Sequence, residues 1–575
     1  MSLEMNYSKS KKIDLAHLEK QYGEMLESYN PFQIKGLQNY NPIYSLFFEM
    51  NQNNYNAISL NHPKHFIDLD TIYNENTQKK EKNIPVHIKY APLLDPIHYL
   101  IGKYEKERGN LYNLPQIEET KVVIPKIKSA YNSAYTDCFF CYLSSKLYEK
   151  HGLLNAIDFY GSYLGIQDKF KMDITDDYEY LQESPFFRNN KKKLYELESI
   201  GFSPEYLKQT TNPKLILGEE CDLEADVALD TEELDNVENG GEMELELVYE
   251  IEEKEDDNEE DSEDEDSETN ESSRDKDKEE KEDSEELEEL EDDSSEWSDM
   301  EESQEEPIVI AYINQFPIQM ICLEKCEGTL DSLLENEEID EEQTISALFQ
   351  VIMTLATYQK AFAFTHNDLH TNNIVYISTD ITHIEYHYLQ EIYRVPTYGK
   401  IFKIIDFGRA IYRFQDQLLC SDSFSTGGDA HSQYNIEPFF NKNKARLETN
   451  MSFDLCRLGC SLYDFVFENE DEDVIYETRA KWTDLQKLIY EWCTDDNGKN
   501  ILYKRSGEER YPNFKLYKMI ARIVHKHTPE NQLKNPIFAS YLQKENKKKK
   551  GSKKVKIDIN DIPKYYSSIL LNPKN

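Results

Sequence analysis

Glycine is scarce in this 575-residue chain, with 20 in total and only Gly23 and Gly36 among the first 88 residues. That scarcity excludes a glycine-rich phosphate-binding loop in this part of the chain. No run approaches the ~18 consecutive apolar residues of a membrane-spanning helix, so we expect no membrane partner. The first twelve residues are polar and charged, which predicts that no secretory signal begins there.

Cysteine is infrequent as well, with nine residues in the whole chain. Without a secretory signal, they predict reduced intracellular thiols rather than a disulfide framework. Cys322 and Cys326 lie four apart and form no zinc site, because structural zinc takes four ligands. Cys138 and Cys141 are spaced to pack on one face of a helix.

Positive charge is in short supply: 64 Lys and Arg face 111 Asp and Glu, a net charge of -47. Residues 241–306 alone hold 37 acids and 5 bases. This acidic arm has too few apolar residues to offset the entropy of ordering, so we predict disorder. Its role is either a solvating spacer or an arm for a basic partner. The overall charge disfavours nucleic acid, since phosphate contact needs concentrated Lys and Arg.

A Lys-rich tail follows residue 540, with seven lysines between positions 547 and 556. It is interpreted as a solvated tail, a nuclear-import patch, a nucleic-acid contact or a partner for the acidic arm. In the two blocks that flank the acidic arm, hydrophobic periodicity predicts helices over residues 133–151 and 340–363 and strand-like runs over 308–313 and 317–323. The chain is therefore predicted to be α+β.

The most informative residues lie between a long predicted helix and an apolar run. His366, Asp368 and Asn373 have the spacing H-x-D-x-x-x-x-N, and a later apolar run ends in Asp406-Phe407-Gly408. Phosphoryl transfer needs one carboxylate near the accepting hydroxyl and oxygen ligands for Mg²⁺ beside the triphosphate. A loop with Asp and Asn five apart, followed by an Asp at a strand end, can supply both.

These motifs, in this order, resemble the catalytic core of the eukaryotic-type protein kinase family. The resemblance implies that Asp368 is the catalytic base and that Asn373 and Asp406 bind Mg²⁺. His370 stands where the family has a Lys, and would donate to the γ-phosphate. The implied cofactors are ATP and Mg²⁺, and the implied acceptor is a Ser or Thr of a protein whose identity the sequence does not give.

The resemblance also implies a nucleotide site assembled from distant segments. Lys89 would be the phosphate-binding lysine, and its acidic partner would be Asp137 or, if the partner helix follows Lys89 directly, Glu105. Leu323 would be the gatekeeper, and the backbone from Glu324 to Cys326 would meet the adenine edge. Asp454 would brace the catalytic-loop backbone.

The implied fold is bilobal, with a small β-rich N-lobe, a larger helical C-lobe and large insertions. The expected segments are an extension 1–30, the N-lobe 31–218, the acidic insertion 219–306, the last N-lobe strands and hinge 307–328, the C-lobe 329–540 and the tail 541–575. The whole pattern is similar to divergent kinases of large double-stranded DNA viruses. That likeness implies host cytoplasm or virion, or the nucleus if the tail directs import.

Departures from the family pattern leave other functions open. No glycine-rich loop precedes Lys89, Asn367 replaces the usual catalytic-loop Arg, and no A-P-E motif occurs. Without that Arg, regulation by activation-loop phosphorylation is not expected. The alternatives to an active kinase are a pseudokinase scaffold, a small-molecule kinase of the choline or aminoglycoside type, and an interaction protein organised by its acidic arm.

Overall fold

The computed structural model describes residues 7–9, 13–23, 29–118, 120–200, 308–467, 479–504, 507–543 and 554–564. The chain divides into two units, Met1–Ile200 with Pro307–Asn575, and Gly201–Glu306. The acidic arm, predicted to be disordered, and the lysines at 547–550 and 553 lie outside the described residues. Among the described helices, none combines the length and the apolar character needed to cross a membrane.

The described part of the first unit is an α+β structure. Its strands are β1 Tyr7–Lys9, β2 Ile34–Gln38, β3 Ile58–Leu60, β4 Lys64–Asp68, β5 Thr71–Asn74, β6 Lys79–Lys82, β7 Val86–Pro92, β8 Phe159–Asp173, β9 Tyr195–Ile200, β10 Ile308–Glu324, β11 Gly328–Thr329, β12 Ile374–Ser378, β13 His383–Tyr388, β14 Glu391–Pro396, β15 Lys400–Ile404, β16 Ile411–Phe414, β17 Gln417–Cys420 and β18 Lys554–Asp558. Its helices are α1 Ala16–Gly23, α2 Pro96–Leu100, α3 Pro125–Lys128, α4 Ser133–His151, α5 Tyr178–Glu183, α6 Pro185–Asn190, α7 Leu330–Glu335, α8 Glu341–Phe362, α9 Phe453–Val466, α10 Asp484–Trp492, α11 Lys515–Ile523 and α12 Pro529–Gln532.

The largest sheet is organised around β10, which pairs antiparallel with β7, β8 and β9. The two runs predicted at 308–313 and 317–323 are one strand of 17 residues. Gln315, at φ 53°, lies between them without ending the strand, because both flanking segments stay paired with β8. In this sheet Lys89 of β7 lies opposite Ile321.

The last residue of β9 and the first residue of β10, which flank the insertion in the chain, are neighbours in the sheet: Ile200 lies opposite Ile308. Deleting residues 242–306 is therefore expected to shift the melting temperature by no more than a few degrees, because loop closure depends weakly on loop length. Differential scanning calorimetry of the full and shortened chains measures this. A fall of ten degrees or more would show that the insertion contributes to the stability of the first unit.

Two helices match their predicted positions closely. α4 begins after Asn132, whose side chain accepts from the N–H of Ala134, and ends at Gly152 with φ 65°. α8 is capped by Asp340, whose side chain accepts from the N–H of Gln343, and ends at Ala363 with φ 48°. Both helices are buried on most of their surface, so tertiary packing stabilises them more than propensity does.

A separate three-stranded sheet has the order β11-β12-β15. The hairpin of β13 and β14 is inserted in the chain between β12 and β15. The hairpin occupies much of the chain between Asn373 and Asp406. Within the Lys-rich tail, residues 554–558 form β18, which pairs parallel with β13 while Lys554 and Lys556 stay exposed, so this part of the tail is ordered. Burial of Ile557 and Ile559 and the 2.8 Å ion pair of Lys554 with Glu385 account for this order.

Candidate functional site

Antiparallel pairing brings the two predicted metal-binding residues to one end of a sheet. In the ladder of β12 and β15, Ile374 lies opposite Ile404. Asn373 directly precedes β12 and Asp406 follows β15 by two residues, so both lie at the same end of this ladder. The Ile405 N–H donates to the carbonyl of Asn373 over 3.0 Å, which extends the pairing to the site itself.

Lys89, on β7 of the largest sheet, reaches this end of the β12–β15 ladder. Lys89 Nζ lies 2.7 Å from Asp137 Oδ2 and 2.9 Å from Asp406 Oδ1. Burial opposes the charged form of Lys89, but attraction by Asp137 and Asp406 outweighs it and raises its pKa. Of the two candidate partners, the structure brings Asp137 to the lysine. Glu105 is exposed in a short 3₁₀ helix and pairs with Arg108 over 3.1 Å.

Asp406 is held in an uncommon backbone conformation. Its φ is 63°, in the left-handed region that a non-glycine residue rarely adopts without support. The support comes from Phe407, whose N–H donates to Asp137 Oδ1 over 2.9 Å and whose buried ring packs 4.6 Å from that of Phe140. The Lys89 ammonium lowers the pKa of the Asp406 carboxyl to about 2, so the carboxylate stays ionised.

The carboxylate of Asp454 on α9 holds the main chain of the loop around Asp368. This fully buried group accepts the N–H of His366 through both oxygens, at 3.0 and 2.9 Å, and the N–H of Asn367 at 2.9 Å. The contact predicted from the sequence is therefore present. Asn367 adopts φ 62°, and its side chain accepts from the hydroxyl of Tyr434 at 2.9 Å.

Replacing Asp454 with Ala is expected to lower the free energy of unfolding by ~2–5 kcal/mol, because two buried N–H groups lose their acceptor. Asp454→Asn keeps one acceptor oxygen and is expected to cost less. Urea titration followed by circular dichroism measures both variants. Asp464→Ala is the control, since that residue is exposed on the same helix. Equal stability of the Asp454→Ala and Asp464→Ala variants would contradict a bracing role.

Asp368 has two contacts that the sequence did not reveal. Its Oδ1 accepts from the Tyr517 hydroxyl at 2.8 Å, and its Oδ2 lies 3.6 Å from Arg409 Nη1. Arg409 directly follows Asp406-Phe407-Gly408, so its position in the sequence was a usable signal. Tyr517 lies 149 residues from Asp368 in the chain, and no motif marks it.

His370 contacts Asn373, the predicted metal ligand. The Asn373 Nδ2 donates to His370 Nε2 at 3.0 Å and to the carbonyl of Asp368 at 2.9 Å. Burial lowers the pKa of His370, which favours the neutral ring that can accept this bond. With Nδ2 engaged twice, the Oδ1 of Asn373 is the atom left to meet a cation.

At the end of β10, the predicted gatekeeper and hinge residues follow in sequence. Leu323 is buried, and the Glu324 side chain pairs with Lys403 over 2.5 Å. The Glu324 side chain also accepts the N–H of Asp158 at 2.9 Å. The Cys326 N–H, in contrast, donates to no other described residue. It is therefore available to a ligand at this edge.

Taken together, the site holds one ammonium between two carboxylates, an amide oxygen beside one of them, and a separate carboxylate on a braced loop. Within the described ranges, no group of three or more His, Cys, Asp and Glu is arranged to hold a metal ion. Asp406 and Asn373 lie at the same end of the β12–β15 ladder, and each carries a side-chain oxygen of the type that hard cations bind. No protein-family model matches the chain, and no curated protein matches it.

Proposed function

We propose that this protein is an ATP- and Mg²⁺-dependent protein kinase of the serine/threonine type, with a bilobal kinase-like arrangement and Asp368 as the base. The observation that carries the proposal is the Lys89 ammonium placed between Asp137 and Asp406. Residues 89, 137 and 406 come from a strand, a helix and a loop far apart in the chain. Their convergence beside the Asp368 loop is what phosphoryl transfer requires.

The donor set fits the proposed cofactors. Asn373 Oδ1 and the carboxylate of Asp406 would hold Mg²⁺, Lys89 would contact phosphate oxygens, and the Cys326 N–H would meet the adenine edge. Bound Mg²⁺ neutralises charge on the phosphates. Asp368 accepts the proton of the attacking hydroxyl, while Tyr517 fixes its other oxygen. The likeness to kinases of large double-stranded DNA viruses belongs to this proposal and supplies its suggested origin.

A pseudokinase scaffold is the second candidate, favoured by one observation. In the main sheet, β7 is the edge strand, and within the described residues no strand lies beyond it. The strands β4, β5 and β6 that precede it form a separate sheet. Among the described residues, the turn at Leu69 and Asp70 contacts the start of β7, where it accepts the N–H groups of Val86 and Ile84. No described pair of strands continues the main sheet beyond β7 to cover phosphates as a glycine-rich hairpin does. A scaffold would bind partners through the same surface without transferring phosphate.

Two measurements on the full chain separate these functions. The first is the thermal shift caused by Mg·ATP, and the second is transfer of the γ-phosphate from labelled ATP to a panel of proteins. The proposal expects a positive shift and label on Ser or Thr, both lost in Lys89→Met. Binding without transfer to protein or to small-molecule acceptors would favour the scaffold. Transfer to choline or an aminoglycoside alone would favour a small-molecule kinase.

Asp137→Asn is expected to lower the transfer rate roughly 10- to 100-fold, since a hydrogen bond to a charged group contributes about 1.5–3 kcal/mol. Without this carboxylate, Lys89 keeps only Asp406 as a partner. Steady-state kinetics at saturating ATP measures the effect. Glu105→Gln is the matched control and should leave the rate unchanged. A larger loss in Glu105→Gln than in Asp137→Asn would reverse the assignment of the lysine partner.

A further inference from the structure

Helices α9 and α11 place an aromatic ring and a guanidinium beside the carboxylate of Asp368. The Tyr517 hydroxyl donates to Asp368 Oδ1 at 2.8 Å. The same hydroxyl accepts from Arg457 Nε at 2.9 Å. Arg457 is therefore only two hydrogen bonds from the proposed base.

Two guanidinium groups contact the Tyr517 ring, but only one of them forms an ion pair with a carboxylate among the described residues. The Arg409 guanidinium carbon lies 5.6 Å from the ring centroid and that of Arg457 lies 5.3 Å from it. Arg409 donates to Asp429 Oδ2 through Nε at 3.1 Å and Nη2 at 2.6 Å. Its charge is therefore compensated by a carboxylate.

Arg457 has no such partner. Across the described ranges its one hydrogen bond is that to Tyr517, and it forms no ion pair there. The residue is half-buried, so its charge has lost part of its hydration. Asp368 attracts this charge from beyond Tyr517, but among the described residues no carboxylate contacts the guanidinium directly. A fixed guanidinium with free Nη groups is a suitable binding group for carboxylate or phosphate oxygens, which its planar fork contacts in pairs.

Helix α11 adds positive charge beside Arg457. Helix α11 carries Lys515, Lys518 and Arg522 and no Asp or Glu. Lys518 Nζ lies 5.8 Å from the Phe514 ring, which stacks on Tyr517 with a centroid separation of 5.4 Å. Positive charge therefore extends from Arg457 along α11, and such a field attracts an anionic substrate.

We infer that Arg457 binds an anionic group of the acceptor, close to the hydroxyl that Asp368 would deprotonate. This inference rests on the proposed function and names its substrate class, a peptide with an acidic or phosphorylated residue near the accepting Ser or Thr. Consecutive Cα atoms are about 3.8 Å apart, so an anion one or two residues from the acceptor reaches Arg457.

A binding experiment tests this without requiring transfer. The probes are fluorescent peptides with Ala at the acceptor position, so that no phosphate can be transferred. In separate peptides, one of the two residues before or the two residues after that Ala is Glu, phosphoserine, Ala or Lys. Anisotropy with the full chain should show Glu or phosphoserine peptides binding roughly 10- to 100-fold more tightly than Ala peptides, the range of charge-assisted hydrogen bonds. Preference for phosphoserine alone would identify a phosphorylated neighbour as the source of the anion.

Variants assign the preference to one side chain. Arg457→Gln should abolish it, Arg457→Lys should restore part of it, and Arg457→Glu should shift binding toward Lys peptides. Lys487→Gln is the control, because Lys487 is exposed and pairs with Asp484 over 3.2 Å. Equal affinity of wild type for Glu and Ala peptides, or an unchanged preference in Arg457→Gln, would overturn the inference.

Transfer kinetics on the matching Ser peptides keep this inference distinct from the proposed function. Tyr517→Phe should lower kcat through Asp368 and, because Arg457 keeps its contact with the ring but loses its hydrogen bond, should reduce only in part the ratio of kcat/KM between Glu and Ala peptides. Arg457→Gln should bring that ratio close to one. Acidic preference in binding without any transfer would overturn the kinase function and support the anion site. Transfer without acidic preference would overturn the anion site alone.

Discussion

Asp368→Asn is expected to reduce kcat for phosphate transfer by ~10²–10⁴, the range of a positioned general base. Asn keeps the shape of the side chain and one oxygen to accept from Tyr517. It loses the charge near Arg409 and the capacity to take a proton. Mg·ATP affinity should change little, because the proposed nucleotide and metal contacts of Lys89, Asn373 and Asp406 do not use the Asp368 carboxylate. Single-turnover transfer and ATP-induced thermal shift, measured together, separate the two effects.

His370→Ala provides the comparison for this first prediction. It removes the ring that accepts from Asn373 Nδ2, but the carbonyl of Asp368 still holds that amide over 2.9 Å. We therefore expect a smaller loss of kcat than in Asp368→Asn. Full activity of Asp368→Asn would place the base elsewhere, and any transfer then observed would come from another site or a contaminant.

Asp406→Asn is expected to lower transfer by roughly 10³-fold or more while the chain stays folded, an effect of the order seen when one electrostatic stabiliser is removed. The change removes the negative charge that would bind Mg²⁺ and leaves Lys89 with Asp137 alone. Because the side chain of Asp406 is 49% exposed, its amide can be solvated and stability should hold. Transfer at increasing Mg²⁺, with circular dichroism in parallel, measures both outcomes.

Asp416→Asn is the matched control for that substitution. Asp416 is exposed in the turn between β16 and β17, ten residues after Asp406, and contacts no part of the site. The Asp416→Asn variant should transfer phosphate at the wild-type rate. Equal transfer by Asp406→Asn and wild type would remove Asp406 from the metal assignment, whereas a large fall in melting temperature would assign it a structural role instead.

The sequence predicted those parts of the fold and site whose signals are local. The helix over 133–151 has an Asn at its start and a Gly at its end, so its limits could be placed to the residue. Lys89 was predicted because residues 86–89 match the V-A-I-K motif of the kinase family and alternate as a strand does, and they lie in β7. The sequence left open whether Asp137 or Glu105 is the partner of Lys89. The choice depends on which helix packs behind β7, and tertiary contacts such as that between Phe140 and Phe407 determine this packing.

Contacts made across long chain separations were not predictable. Tyr517 has no motif, and its bond to Asp368 depends on how α11 packs against α9. The pairing of β18 with β13 was missed because its Lys-rich composition resembles a solvated segment. The two strand-like runs in β10 looked separate because polar residues interrupt them, although pairing on both sides keeps the strand continuous.

The parallel pair of β13 and β18 has a consequence for synthesis of the protein. Lys554, which pairs with Glu385, is made 169 residues after it. At about 5–20 residues per second, translation takes roughly 10–30 s to cover that interval. During this time the hairpin of β13 and β14 exposes an open strand edge, a feature that invites pairing with other chains. A chaperone that occupies that edge until residues 554–558 arrive would therefore raise the yield of folded protein.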